Sequence, residues 1–272
     1  MHRRETFEYR QLDRIVYSVA PLLESQSRVL HLITTRVGGV SPPPYDSLNM
    51  GMTTGDDPRL VHQNRRRLHE LMDLELKFAV HQVHGDTVLV IKDFMDLMAV
   101  ERADPPIQAD ALVTNLPDLP LVLYTADCVP VYLYDPLKNV IALVHGGWRG
   151  TVKKIVARTI SAMEEAYGTN PASLQVALGP SIGPCCFEVG EEVWEEFRTA
   201  FHFWPNFVVR TPNKFFVDLW TCTTMQLFMA GVREENVVNS QVCTSCNNDF
   251  YYSYRRDSGD TGRMAAIISL RP

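Results

Sequence analysis

Three apolar runs, at residues 121–124, 131–134 and 140–144, follow one another so closely that they restrict what this chain can fold into. Pro130 separates the first two, and the turn-forming stretch Asp135-Pro136-Leu137-Lys138-Asn139 separates the last two. Parallel neighbours need a crossover of about a dozen residues or more, so strands this close pair antiparallel or within a mixed sheet. Further strand-like runs lie at 28–34, 77–80, 88–91, 111–113, 174–178 and 264–270. The stretch 36–44 holds two glycines and three prolines and reads as a loop. Asp56-Asp57-Pro58 supplies an acidic cap and a first-turn proline for a helix carrying Val61, Leu68 and Leu71. A second helix is predicted after Gly150, with Val152, Ile155, Val156, Thr159, Ile160 and Met163 on one face and Gly168 as its stop. Segments 191–199 and 219–230 also read as helical. The expected fold is α/β, with many strands, helices on the outside, and residues 1–272 forming one unit.

The chain has 272 residues and a formal net charge of −6 at pH 7. That mild negative balance argues against broad binding to a nucleic-acid backbone. No apolar stretch is long enough to span a bilayer, so no membrane partner is expected. The start, Met1-His2-Arg3-Arg4-Glu5-Thr6, leads into polar residues rather than an apolar signal segment, and a cytoplasmic location is expected. In that setting the six cysteines are reduced thiols or metal ligands rather than a disulfide framework.

Three polar blocks lie beside or at the ends of these runs: Gln82-Val83-His84-Gly85, Thr125-Ala126-Asp127-Cys128 and His145-Gly146-Gly147-Trp148-Arg149-Gly150. Strand ends form a rigid platform on which distant side chains can meet. Two imidazoles and one thiolate make the three-ligand set of a catalytic zinc site, which keeps its fourth position open. His81 and His84 are three apart, a spacing that sends them to opposite faces of an extended chain. His84 is the candidate, because the following Gly85 permits close approach. Cys128 is either a small buried hydrophobe or a thiolate, and the adjoining Asp127 favours a polar site with a carboxylate able to carry a proton or orient a ligand. Around His145 the glycines allow tight turning, and Arg149 adds a planar fork suited to phosphate or carboxylate. The plain alternatives are a hydrogen-bonded loop histidine and an ordinary strand-to-helix turn.

Cys185 and Cys186 are adjacent and lie in a stiff Gly179–Cys186 stretch. Cys243 and Cys246 form a CxxC pair. The four together could make a structural zinc site, with simple packing as the alternative. Arg255-Arg256-Asp257 and Gly262-Arg263 read as solvated loop segments.

Taken together in this order, the blocks resemble the laccase-domain, YfiH-like proteins. The likeness also includes Thr34-Thr35-Arg36-Val37-Gly38-Gly39, Ser47-Leu48-Asn49, Asn64-Arg65, Ala109-Asp110-Ala111, Gly179-Pro180-Ser181-Ile182-Gly183 and Tyr254-Arg255-Arg256-Asp257. The resemblance implies a layered α/β fold with sheets packed between helices, and zinc held by His84, Cys128 and His145. Copper is the alternative metal, since these proteins were once labelled multicopper polyphenol oxidoreductases. It further implies a purine nucleoside phosphorylase with adenosine deaminase activity. The partners would be adenosine, inosine, guanosine or methylthioadenosine together with phosphate, acting on a monomer or homodimer. Arg36, Asn49, Arg65 and Arg149 are the candidate phosphate-holding residues, and Asp127 joins the three ligands as a catalytic candidate.

Three rivals follow from the same residues. A copper oxidase needs many imidazoles, often as His-X-His pairs, and the chain has eight histidines and no such pair. A cysteine hydrolase would use Cys128 as nucleophile and His145 as base. A zinc-stabilised binding module would show no turnover.

Overall fold

The computed structural model describes residues 7–73, 80–211 and 214–272, so the strand read at 77–80 falls, Val80 apart, outside the described residues. The chain runs through β1 (Glu8–Leu12), β2 (Ile15–Val19), α1 (Pro21–Glu24), β3 (Val29–Thr34), α2 (Pro58–Met72), β4 (Val88–Ile91) and α3 (Phe94–Glu101). It continues through β5 (Ala111–Thr114), β6 (Leu121–Thr125), β7 (Val129–Asp135), β8 (Val140–Gly146), α4 (Trp148–Val152), α5 (Ile155–Tyr167) and β9 (Gln175–Leu178). It ends with β10 (Glu188–Val189), α6 (Glu191–Ala200), β11 (Val208–Arg210), β12 (Phe215–Val217), α7 (Leu219–Met229), β13 (Val237–Asn239) and β14 (Met264–Leu270).

Among the described residues these strands form three sheets. The largest has the order β13-β9-β7-β8-β5-β4, with the β9-β7, β7-β8 and β8-β5 pairs antiparallel and the edge pairs β13-β9 and β5-β4 parallel. The second, β1-β2-β3-β14-β6, is antiparallel throughout. A small β10-β12-β11 sheet lies apart from them.

The runs that opened the sequence reading are uninterrupted because both faces of their sheet are covered. Every residue of β7 and β8 is buried. Val131, Leu133, Ala142 and Val144 pack with Ile155, Ile160 and Met163 of α5. The alternating Tyr132, Tyr134, Ile141 and Leu143 pack against Leu121, Leu123, Ala266 and Ile268 of the second sheet. The other face of that second sheet, with Val122, Ala265 and Ile267, is closed by Leu68 of α2. The layers are therefore helices, sheet, sheet, helix, the mixed α/β architecture that was expected. Such two-sided burial is what turns an alternating pattern into a continuous apolar run.

Two local readings change. Pro130 lies inside β7, opposite His145 in the register, rather than between strands. It is the second residue of the strand, where a missing N–H is tolerated, and its carbonyl accepts from Gly179 N at 2.9 Å. The helix predicted after Gly150 is two helices. Lys154, at φ +63°, turns the corner between the short α4, which begins beside the site at its cap Gly147, and α5, which lies on the sheet. The other helix ends follow their signals: Asp57 caps α2 by accepting from Arg59 N, and Gly168 ends α5 in the left-handed region.

Candidate metal centre

One end of the six-stranded sheet gathers the start of β5, the start of β7, the end of β8 and the loop leading into β4. The antiparallel register fixes this: Ala111 is opposite Val144, and Val129 is opposite Gly146. Asp110, Cys128 and His145 therefore stand side by side, though well separated in sequence. The ligand atoms of His84, Cys128 and His145 lie within 4.8 Å of one another. Their burial is graded: His145 is buried, Cys128 half-buried and His84 exposed. The two imidazole rings meet edge to face with centroids 4.8 Å apart.

Asp110 sets this geometry, and the sequence reading gave it no role. Its fully buried carboxylate accepts from Val83 N (3.1 Å), His84 N (3.0 Å) and Gly85 N (2.7 Å), and it bonds His145 Nδ1 at 2.8 Å. With Nδ1 tied back in this way, Nε2 is the His145 atom left for Cys128 or a metal, the usual arrangement for a carboxylate-oriented metal histidine. Three successive N–H groups on one carboxylate also hold His84 at φ +58°, a conformation uncommon for a residue with a side chain. Gly85 also gives its N–H to this carboxylate. Gln82 pins the same loop to β6, exchanging hydrogen bonds with Tyr124 O (2.9 Å) and Tyr124 N (2.8 Å). At the far side Gly147 keeps room for the ligands: a β-carbon there would crowd them, standing 3.0 Å from His84 Cδ2 and 3.1 Å from Cys128 Sγ.

The electrostatics of the three groups are mutual. Burial opposes the Cys128 thiolate, but His145 and His84 together hold its pKa down to about 6. Burial likewise opposes a charged His145, but Cys128 and Asp110 push its pKa up to about 10. Asp110 is held below the usual carboxylate range, its burial outweighed by His145 and by the Gly85 and Val83 amides. Each charge favours the other, a thiolate on Cys128 and a proton on His145. Two nitrogen donors and one sulfur donor, with an open side, suit a tetrahedral ion that keeps one exchangeable position.

The three ligands line a cavity of about 620 Å³, within the range of small-molecule sites. Arg65 and Arg149 also line it; Arg36 and Asn49 do not. Arg65 donates twice to Met50 O and stacks 4.5 Å over Tyr124, and Arg149 lies 4.3 Å over Trp148. Arg36 is engaged with Asp46 and Asn248. Asn49 is wholly buried, with its amide on Thr54 and Asp56 and its carbonyl accepting from Gly51 N and Arg263 N. Asp127 reaches the cavity, but its carboxylate accepts from Thr244 Oγ1 (2.6 Å), Ser253 Oγ (3.0 Å) and Arg255 N (2.7 Å).

Arg263 and Arg255, read from sequence as solvated, line the cavity as well. Arg263 is half-buried, and burial draws its pKa below the ordinary arginine value. Arg256 is also half-buried, bonded to Asp257 and to the Thr244 and Tyr251 carbonyls. The sequence signal for Asp110 was an acid at the head of an apolar strand, where a buried charge requires partners.

Residues 30–271 match the family model described as multi-copper polyphenol oxidoreductase laccase. A protein of Bacteroides thetaiotaomicron named purine nucleoside phosphorylase is 37% identical over 254 residues, covering 91% of this chain and 94% of the relative. Purine nucleoside phosphorylase YfiH of Escherichia coli is 37% identical over 238 residues, covering 87% and 92%. The crystal structure of YlmD from Geobacillus stearothermophilus superposes with a TM-score of 0.87 at 33% identity, covering 97% of this chain and 99% of that one.

Proposed function

This chain belongs to the family described as multi-copper polyphenol oxidoreductase laccase, and from that premise we propose that it is a zinc-dependent purine nucleoside phosphorylase with adenosine deaminase activity. The observation that carries the metal is the convergence of His84, Cys128 and His145 on one open-sided cluster, with Asp110 fixing the tautomer of His145. The reaction is drawn from relatives named purine nucleoside phosphorylase at 37% identity over most of the chain.

The donor set favours zinc over a copper cluster: a multi-copper site needs many imidazoles, and His84 and His145 are the histidines in this ligand group. Zinc, when bound, supplies Lewis acidity at the open corner. The residues of the chain do the rest. Arg65, Arg149 and Arg263 offer a positive wall for phosphate. Tyr124, Trp148 and Tyr254 offer aromatic faces for a purine base. In phosphorolysis, phosphate attacks C1′ of adenosine, inosine, guanosine or methylthioadenosine and the base departs. In deamination, water attacks C6 of adenosine and ammonia departs. Arg36 and Asn49 act from behind the cavity, Asn49 by holding Arg263 N and Arg36 by fixing the 46–48 loop. Asp127 acts by positioning, because its carboxylate braces the Thr244 and Ser253–Arg255 segments beside Cys128.

Chromatography of adenosine and inosine reactions, with and without phosphate, tests the proposal. Phosphate should yield free base and ribose 1-phosphate, and adenosine alone should yield inosine. Cys128→Ala should abolish both. Absence of turnover with every purine nucleoside would refute it and favour a zinc-stabilised binding module.

One observation supports a second reading. Cys128, His145 and Asp110 also form a thiolate–imidazole–carboxylate series of the kind used by cysteine hydrolases. That enzyme would survive chelation and die on alkylation. The proposed one loses activity on chelation and recovers it with zinc.

A further inference from the structure

Cys185, Cys186, Cys243 and Cys246 take no part in the centre described above, yet their Sγ atoms all lie within 4.8 Å of one another. Cys185 and Cys246 are exposed, although cysteine is among the residue types most often fully buried. Packing accounts for Cys243, which is in the core, and for Cys186 beside it, but gives no reason for thiols at the exposed positions 185 and 246. The two pairs sit in separate turns, one after β9 and one after β13, two strands that are parallel neighbours.

The turns are laced together. Ser181 N donates to Val242 O at 3.1 Å, and Thr244 N donates to Ser181 O at 3.0 Å. Gly183 N points at Cys243 Sγ, 3.2 Å away. An amide aimed at a cysteine sulfur is the sort of outer contact that steadies a metal-bound thiolate. A β-carbon on Gly183 would stand 2.8 Å from Trp220 Cη2, 3.1 Å from Cys243 Cβ and 3.3 Å from Cys185 Sγ, so the absent side chain leaves room for Trp220 and for these two cysteines together. Cys246 Sγ lies 3.6 Å from Cys185 Sγ and 3.4 Å from Cys186 Sγ. Four thiolates around zinc at about 2.3 Å would stand about 3.8 Å apart. The two Cys246 separations lie within a few tenths of an ångström of that value, and all four sulfurs lie within 4.8 Å of one another.

We propose that these four cysteines bind a structural zinc ion, a second metal site in each chain, separate from the open His-Cys-His centre. Four sulfur donors fill a tetrahedral shell and leave no corner for substrate. The ion staples two turns that reach the cavity from outside. The first carries Ile182 and Phe187, which line its wall. The second carries Thr244, whose hydroxyl holds the Asp127 carboxylate next to Cys128. Its role is to keep that wall in register with the catalytic centre.

Zinc content of the full-length protein, measured by plasma emission after dialysis, tests this. Wild type should hold two ions per chain, Cys128→Ala one, and Cys185→Ser/Cys246→Ser one. X-ray absorption of the zinc left in Cys128→Ala should show a shell of sulfur alone near 2.3 Å; this measurement does not depend on how the serine variant folds. Wild type holding a single ion that Cys185→Ser/Cys246→Ser removes would support the four-cysteine site while refuting zinc at the other centre. Zinc content unchanged by the serine pair, nitrogen in the shell of Cys128→Ala, a disulfide among the four cysteines in the intact mass, or the visible absorption of iron would each overturn the proposal.

Discussion

Asp110→Asn removes one negative charge and almost no volume, and its consequences can be worked through. The carboxylate now serves His84 N and His145 Nδ1 through Oδ1, and Val83 N and Gly85 N through Oδ2. An amide has one accepting oxygen. If its nitrogen takes the Oδ2 side, the Val83 and Gly85 N–H groups face another donor, at about 1–3 kcal/mol for each group left unpaired. If the nitrogen takes the Oδ1 side, His84 N is stranded and His145 Nδ1 must accept. Its proton then moves to Nε2, the atom that faces Cys128. The first arrangement destabilises the loop, and the second protonates a metal ligand. Either way zinc affinity should fall about tenfold to a hundredfold, the usual effect of removing a carboxylate behind a metal-bound histidine. Competition with a chromogenic chelator measures it, and urea unfolding of the stripped proteins separates the loop cost from the ligand cost. A zinc dissociation constant within twofold of wild type would show that Asp110 does not orient the centre.

Four other outcomes are expected. Gly147→Ala places a methyl against His84 and Cys128 and should lower turnover about tenfold or more, with melting of the stripped protein little changed in calorimetry. Arg65→Ala and Arg263→Ala should each raise the phosphate KM, whereas Arg36→Ala, outside the cavity, should act mainly on thermal stability; steady-state kinetics at varied phosphate and melting curves distinguish the two effects. Loss of both activities on chelation should be reversed by zinc and not by added reductant. His31 is buried and neutral, accepts from Ala20 N at 2.7 Å, and has its pKa lowered by burial to about 3. Its contribution to stability is complete above its unfolded pKa of about 6.5 and declines as pH falls toward 3, by about 1.4 kcal/mol per unit, or about 2 kcal/mol at pH 5. Urea titrations of wild type and His31→Gln at pH 7 and pH 5 should show the wild type losing that much more.

The six-stranded sheet was legible because its central strands are covered on both sides, which writes β7 and β8 as unbroken apolar runs. Their short spacing also made the antiparallel pairing legible. Cys128 and His145 could be picked out because polar residues at the ends of such runs have few other reasons to be there. Asp110 was hidden: its partners are backbone amides some 25 residues away and a histidine 35 residues on, contacts that the sheet register creates and no local pattern announces. The break at Lys154 was hidden for a related reason, since Val152 and Ile155 keep helical spacing across it. Arg263 looked solvated because a loop position reveals nothing about what folds over it. Asn49 and Arg36 sit in polar blocks as a substrate-binding residue would, but their hydrogen bonds are taken up by residues 46–56 and by Asn248 and Arg263.

The three amides that converge on Asp110 complete their bonds inside the polypeptide, whatever ion is present. The seat is built before its occupant arrives, so little of the binding energy goes into ordering the chain. Stripping the open centre should yield a still-folded protein that can be reloaded with cobalt or cadmium for spectroscopy, an experiment closed to domains that unravel with their metal.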